Sequence, residues 1–270
     1  MFQKKKRYAI DELNAYKVAY GRPIAKEDYF LNIVLPALFG GGVIFLLLNN
    51  VWLVVVVACF YAFYGYRVLF PLNVKRFYSH KAFDQRNRLI NNLTQLLSDP
   101  TMSWFVAFQR ASERCEGELR QDVDQLLANL QDASSEELSN HFRLFGKKYE
   151  TDVVFSLFME QIETIALEGR TNIMMIQDIK NYHNQIREKT KRFMGRKKKV
   201  IEQIVLYLFL SGVILEILHF FPLGYTAYLE SFAHSPIGWV MSGVYLFLLT
   251  VLLHKVCQNF YDNEIMEVKI

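Results

Sequence analysis

Two long apolar blocks with almost no charged side chains constrain this chain more than any other feature. Residues 29–66 contain no Asp, Glu, Lys or Arg, and residues 203–253 contain only Glu216 and Glu230. A membrane-spanning helix needs about 20 mostly apolar residues. Each block is long enough for two such helices, so the sequence predicts four spans.

The first pair of spans contains prolines and glycines with distinct expected effects. Pro36 can kink span one, and Gly40, Gly41 and Gly42 let neighbouring helices approach closely. Pro71 is expected to close the segment that contains span two. We expect spans at about 29–48, 51–66, 203–221 and 237–253.

The distribution of basic residues predicts the orientation. Every Lys and Arg lies before span one, between spans two and three, or after span four, and the two short loops carry none. Under the positive-inside rule, the N-terminus, the charged middle and the C-terminus are therefore cytoplasmic.

The charged middle reads as a series of amphipathic helices without alternating strand patterns. A leucine-rich stripe lies within residues 89–97, and Asp99 with Pro100 suits the N-cap and first position of the next helix. Ser134 and Glu137 form a capping-box pattern. The predicted fold is an all-α membrane protein in which two transmembrane hairpins flank a cytoplasmic bundle of about six helices.

A helical hairpin joins this bundle to span three. Gly169 suits the left-handed position after one helix, and Thr171 or Asn172 suits the N-cap of the next. Together these patterns divide the chain into a basic N-terminal segment (1–28), a transmembrane hairpin (29–72), a helical domain (73–200), a second transmembrane hairpin (201–254) and a tail (255–270).

The N-terminal segment leaves two interpretations open. Ala9, Leu13, Tyr16 and Tyr20 make a modest helical stripe that would end at residues 21–23. The stripe suits a short helix on the membrane surface or a solvated tail.

No motif for nucleotide binding, zinc proteases or serine hydrolases is present. Cys59, Cys115 and Cys257 match no metal-site spacing and suit reduced cytoplasmic thiols. His183 lies on an apolar helix face, where a packed side chain is expected more often than a ligand. We therefore predict a protein that is not an enzyme and uses neither cofactor nor metal.

Two groups of polar residues near the membrane are candidates for function. Glu216 is an acid inside span three, and His219 lies three residues further on, so the two could pair. Helix–helix bonding or exposure at the interface is the alternative. The basic collar suits anionic lipid, which its position favours, or an acidic partner, and nucleic acid less. It comprises Lys189, Lys191, Arg192, Arg196, Lys197, Lys198 and Lys199.

The order of these elements resembles a known family. The resemblance rests on three features of the sequence. They are the leucine-rich helix 89–97 with its break at residues 98–100, the hairpin sequence IETIALEGRTN (162–172), and the basic helix leading to Lys199 and span three. They resemble the type II secretion F-domain family, in particular the single-domain TadB/TadC-like proteins of Tad (Flp-type) pilus systems. Arg170 and Thr171 stand where a second glycine is usual, and Asp99-Pro100 replaces a glycine-bearing turn.

The resemblance implies a platform in the cytoplasmic (inner) membrane of a prokaryote. Such a protein would couple a cytoplasmic assembly ATPase to the extraction of prepilin or pseudopilin subunits, beside a paralogous platform subunit or a second copy, and membrane lipids. It implies partner contacts at Glu168, Gly169, Asn172, Arg196, Lys197, Lys198 and Lys199. The alternatives are a small transporter or channel and a membrane-anchored adaptor, each with a cytoplasmic regulatory bundle.

Overall fold

The computed structural model describes residues 10–169, 173–220 and 224–261, without the side chains of 215, 216, 218–220 and 261. In that part of the chain the regular structure is helical and contains no strand, which confirms the predicted all-α class. The α-helices are α1 (Ile10–Tyr20), α2 (Lys26–Tyr29), α3 (Leu35–Leu48), α4 (Val51–Tyr64), α5 (Phe70–Leu97), α6 (Trp104–Ser112), α7 (Gly117–Leu130), α8 (Ser135–Lys148), α9 (Val153–Glu168), α10 (Ile173–Phe220), α11 (Tyr225–Tyr228) and α12 (Pro236–Tyr261).

The chain forms two compact units. The apolar unit comprises described residues 24–74 and 194–261, and the polar unit comprises described residues 10–23 and 75–193. The division follows composition, because the two apolar blocks, 29–66 and 203–253, both lie in the apolar unit.

Three helical stretches among the described residues are long and apolar enough to cross a membrane. They are Lys26–Leu48, Val51–Leu97 and Pro236–Phe260, which contain predicted spans one, two and four. Predicted span three, residues 203–221, is helical as far as Phe220, but its last residue and several of its side chains lie outside the described residues. Span three, and with it the count of four spans, therefore stays a prediction.

Pro71 does not end the second apolar helix, contrary to the prediction. The helical stretch continues to Leu97 through a π-helical segment, Gly65–Leu69, in which the Phe70 N–H donates to the Gly65 carbonyl. A proline cannot donate the usual bond to the carbonyl four residues earlier, and its ring crowds that carbonyl. The π-helical turn immediately before Pro71 replaces the usual hydrogen bonds to the fourth residue back by bonds to the fifth, and the helix continues past the proline.

Close helix approach in the apolar unit requires glycine at some positions and not at others. A Cβ at Gly40 would lie 2.4 Å from the Tyr61 ring, and one at Gly65 would lie 2.1 Å from the Asn32 carbonyl oxygen. A Cβ at Gly41 would make ordinary contacts, and at Gly42 it would meet nothing. The expected role of the glycine run is therefore confirmed at Gly40 and wrong at Gly42.

This difference predicts different effects for the same substitution at two nearby positions. Gly40→Ala should lower the free energy of unfolding by about 1–3 kcal/mol, because Tyr61 is buried and must move. Gly42→Ala should be neutral or stabilise by up to about 1 kcal/mol, since it improves helix propensity in open space. Thermal unfolding in mild detergent measures both, and equal melting temperatures would contradict the close packing at Gly40.

The polar unit has a continuous apolar core that includes the predicted stripes. Leu89, Ile90 and Leu93 are fully buried, and residues from α6 to α10 pack around them. Ser134 and Glu137 make the predicted capping box at α8. The predicted N-cap at Asp99 is wrong: Asp99 accepts hydrogen bonds from Thr101 in a turn, and Ser103 caps α6.

Helix α1 packs on the polar unit, which differs from both interpretations of the N-terminal segment. Leu13 is buried, and the Tyr16 and Tyr20 rings contact Tyr78 with centroids 5.0 and 5.4 Å apart. Gly117, at φ 67°, lies so near α1 that a Cβ there would be 2.1 Å from the Ala19 carbonyl oxygen. The apolar stripe of α1 therefore faces protein.

Candidate functional site: a buried polar network on the long helix

The predicted partner contacts at the hairpin turn lie in exposed positions. Glu168 is the last residue of α9 and is exposed. Gly169 takes the predicted left-handed conformation at φ 66°, and its N–H donates to the Ile165 carbonyl at 2.9 Å. Asn172, which is also one of the two predicted N-cap residues of α10, lies outside the described residues.

The predicted contacts at 196–199 lie well inside α10, more than six turns along that helix from its first residue. Lys197 donates a hydrogen bond to the Asn259 carbonyl of α12. The Lys198 ammonium is 3.8 Å from Glu202 in an exposed pair. Arg196 and Lys199 are exposed as well. The basic residues and the hairpin turn therefore do not make one site within the helix.

The predicted intramembrane pair lies near the C-terminal end of α10. Glu216 and His219 both lie in α10, as predicted from their helical spacing. Their side chains lie outside the described residues, so their pairing stays a prediction.

His183 is a packed side chain, as the sequence predicts. It is fully buried, and its ring stacks on Phe83 with centroids 4.7 Å apart and planes at 16°. Its Nδ1 lies 2.8 Å from the Asn87 side-chain nitrogen. Because an amide NH₂ can only donate, Nδ1 accepts this bond and Nε2 carries the proton of the neutral ring.

Asp152 is the charged centre of the same network. Its Oδ1 caps α9 by accepting from the Phe155 N–H at 3.1 Å, and its Oδ2 accepts from Arg86 Nε at 2.7 Å. His183 Nε2 lies 3.7 Å from that Oδ2, too far for a hydrogen bond, and has no other hydrogen-bond partner among the described residues. The aspartate thus joins the start of α9 to side chains of α5 and α10.

The electrostatic effects on Asp152 oppose one another. Burial raises the pKa of its carboxyl, whereas the neighbouring His183 imidazole and Arg86 guanidinium lower it. The lowering effects prevail, so the pKa of Asp152 lies below its usual value. The buried carboxylate is therefore ionised at neutral pH and paired with a largely buried Arg86.

Three asparagines extend the network between α5 and α10. The Asn184 side-chain oxygen accepts from Asn87 at 2.9 Å and from Asn91 at 3.0 Å, and the Asn184 amide donates to Asn91 at 2.9 Å. Asn91 also donates to the Asn87 carbonyl at 2.7 Å. These bonds satisfy polar groups that would otherwise be costly to bury.

Of the residues in this network, only His183 is singled out by its sequence pattern; the others, Arg86, Asn87, Asn91, Asn184 and Asp152, were not predicted. One signal was available: Asn87 and Asn91 lie one turn apart beside the buried leucine stripe, where polar side chains need partners. Asp152, in contrast, looks like an ordinary helix cap in the sequence. Its partners come from positions 66 residues before and 31 residues after it, and only the fold brings them together.

A second polar cluster fastens four helices of the polar unit. Lys148 lies 2.9 Å from Glu118 and 2.5 Å from Asp122, while the Tyr78 hydroxyl donates to Glu118 at 2.7 Å. Burial and the bond to Glu118 raise the pKa of Tyr78, so the hydroxyl stays protonated. With the ring of Tyr20 against Tyr78, the cluster connects α1, α5, α7 and α8.

Polar side chains of the apolar unit pair with one another across helices. The Tyr61 hydroxyl is 2.7 Å from the Thr250 hydroxyl, and the Tyr64 hydroxyl is 2.6 Å from His254 Nδ1. In a lipid bilayer, which offers few other hydrogen-bond partners, such bonds help to hold helices together. They join α4 to α12.

Comparison with known proteins finds a relative that aligns with nearly all of this chain. The chain is 37% identical to the uncharacterized protein pXO2-23 of Bacillus anthracis over 269 residues, which are 99% of this chain and 96% of the relative. No family model matches the chain. No solved structure matches it. Because the match covers both units and all of α10, the chain belongs to the same protein family as this Bacillus anthracis protein.

Proposed function

We propose that the protein is a non-enzymatic membrane platform that couples a cytoplasmic assembly ATPase to the extraction of prepilin or pseudopilin subunits. One observation carries the proposal: α10 is a single helix of 48 residues that begins at the hairpin turn and includes residues 203–220 of predicted span three. At 1.5 Å per residue such a helix is about 70 Å long. A continuous helix can pass a displacement along its axis.

The buried polar network supports this role. For coupling, α10 must be firmly held by the helices that receive the displacement. Asn87 and Asn91 of α5 bond to Asn184, and His183 packs against Phe83. A satisfied polar network fixes one register between packed helices, because a shift would leave buried groups without partners.

The proposed topology has four spans, with both termini and the charged region between spans two and three in the cytoplasm. It rests on the positions of Lys and Arg, which are missing from the two short loops. In this arrangement two transmembrane hairpins flank a cytoplasmic bundle of the type II secretion F-domain kind. The membrane would be the cytoplasmic (inner) membrane of a prokaryote.

The hairpin turn is the proposed contact for the ATPase. Leu167 and Met174 flank it as exposed apolar side chains, and exposed Glu168 lies between them. Exposed apolar residues beside charges are common at protein interfaces. A second copy or a paralogous platform subunit would complete the assembly.

A transporter or channel is the less favoured alternative. It would require polar side chains that line a path, whereas Tyr61, Tyr64, Thr250 and His254 are engaged across helices. A membrane-anchored adaptor would share the anchoring but not the ATPase or the pilin.

Affinity purification of the tagged protein from native membranes, followed by mass spectrometry, tests the proposal. We expect a secretion-type ATPase, with pilin-like subunits or a second platform protein, to be recovered. A Glu168→Ala/Met174→Ala variant should lose the ATPase, whereas Arg120→Ala, an exposed change on α7, should retain it. Recovery of this chain alone, where other membrane complexes remain intact, would contradict the platform role.

A further inference from the structure

The cations of the apolar unit lie at one end of that unit. The described residues of the apolar unit include the cations Lys26, Arg67, Lys255 and the basic run 196–199. Three contacts bring their helix ends together: Asn73 of α5 donates to Asn32 at 3.2 Å, Tyr64 of α4 bonds to His254 at 2.6 Å, and Lys197 of α10 bonds to the Asn259 carbonyl of α12.

The other end of the apolar unit has no Lys or Arg. There the Tyr228 hydroxyl donates to the Leu47 carbonyl at 2.5 Å, and Asn49 donates to the Tyr225 hydroxyl. These contacts join the turn between α3 and α4 to the segment before α12. The cations are thus confined to one of the two surfaces at which helices of this unit would leave a membrane.

Two residues of the basic run have no partner among the described residues. Lys197 is engaged with Asn259 and Lys198 faces Glu202, but Arg196 and Lys199 make no ion pair or hydrogen bond there. They are exposed and three residues apart, so they lie on the same face of α10. Two neighbouring cations without a counter-ion repel each other, and an anion between them removes that repulsion.

The surface that follows identifies the kind of anion. From Val200 onward α10 exposes Val205, Leu206, Tyr207 and Phe209, and this apolar surface suits acyl chains. Nucleic acid would leave this apolar surface uncovered, and no aromatic side chain is interleaved with the four cations for base stacking. A ligand that carries a phosphate group at one end and hydrocarbon chains at the other matches both the cation pair and the apolar surface.

We propose that Arg196 and Lys199 form a binding site for the headgroup of an anionic phospholipid whose acyl chains lie along the exposed face of α10 after Val200. Both cations contact the phosphate region, and the adjacent helix supplies the apolar contact. The site fixes the depth of α10 in the bilayer. It depends on the apolar unit being in a membrane and is independent of any ATPase or pilin.

Native mass spectrometry of the full chain in neutral detergent tests the site. The protein is titrated with phosphatidylglycerol or with phosphatidylcholine of the same acyl chains. We expect phosphatidylglycerol to bind about tenfold more tightly, and Arg196→Gln/Lys199→Gln to weaken its binding by about 10- to 30-fold, with phosphatidylcholine unchanged. The control Arg143→Gln/Lys147→Gln removes the same charge from exposed positions of the polar unit and should bind as the original protein does.

Three results would overturn the proposal. They are equal binding of the two lipids, an Arg196→Gln/Lys199→Gln variant that keeps the preference, and a control that loses as much as this variant. Inorganic phosphate should not displace phosphatidylglycerol at equal concentration, since it lacks acyl chains, and displacement would assign the site to a soluble anion. Added salt should weaken phosphatidylglycerol binding to the unaltered protein, which provides a measurement without substitutions.

Discussion

Replacing Asp152 by alanine is expected to lower the free energy of unfolding of the polar unit by about 3–5 kcal/mol. The substitution leaves the Arg86 guanidinium, only 12% exposed, without its carboxylate. It also removes the side-chain cap that receives the Phe155 N–H at the start of α9. Both effects act at the buried contact between α5, α9 and α10.

The measurement needs a signal from the polar unit. Trp104 packs beside the core of that unit, so in a Trp52→Phe/Trp239→Phe background it is the remaining tryptophan and reports unfolding there. Denaturant titration in mild detergent gives the free energy. The control Asp178→Ala makes the same change at an exposed position of α10 and should stay within about 0.5 kcal/mol. Equal effects of the two substitutions would refute the central role of Asp152.

The contribution of Asp152 should also depend on pH with a defined sign. Its folded-state pKa is lowered, so the ionised carboxylate stabilises the fold above the unfolded-state pKa of about 3.9. This contribution is lost as the pH falls from about 4 through the lower folded-state pKa. The stability difference between the unaltered protein and Asp152→Asn should therefore be full at neutral pH and shrink below about pH 4. A constant difference across that range would show that charge has no part in it.

Gly195→Pro should abolish assembly output if α10 transmits displacement. Gly195 lies inside α10 and is exposed, and a Cβ there meets no atom within 4 Å. Proline in a helix interior costs about 3 kcal/mol and kinks or breaks the helix. Gly195→Ala occupies the same position, favours the helix by about 1 kcal/mol and should keep full output.

Two readouts separate transmission from binding. Under the proposed function, pilin-like subunits sheared from the surface of the native host would measure output, and affinity purification from the same cells would measure retention of the ATPase. We expect Gly195→Pro to lose the surface subunits while it retains the ATPase, because the hairpin turn lies far along the helix from Gly195. Normal output from a stably expressed Gly195→Pro variant would contradict transmission through α10. Loss of the ATPase in this variant would instead assign the defect to binding.

Local rules predicted the features that depend on neighbours in the sequence. The capping box at Ser134, the left-handed Gly169 and the buried leucine stripe around Leu89 follow from residue types and helical spacing alone. The prediction at Asp99 failed because Ser103, four residues later, supplies an equally suitable cap, and local preference did not distinguish the two. The prediction that Pro71 ends the helix failed because the π-helical turn just before it cannot be recognised from the pattern of apolar residues.

The sequence by itself determined the helical class and the apolar segments, because hydrophobic periodicity and the absence of charge act over a few turns of chain. The tertiary structure decided which polar residues matter. Asp152, Arg86, His183 and the three asparagines become one network only when α5, α9 and α10 pack together. A buried polar group without a hydrogen-bond partner costs free energy. In this network the partners lie far apart along the chain, and the helical periodicity of the sequence does not show which residues will meet.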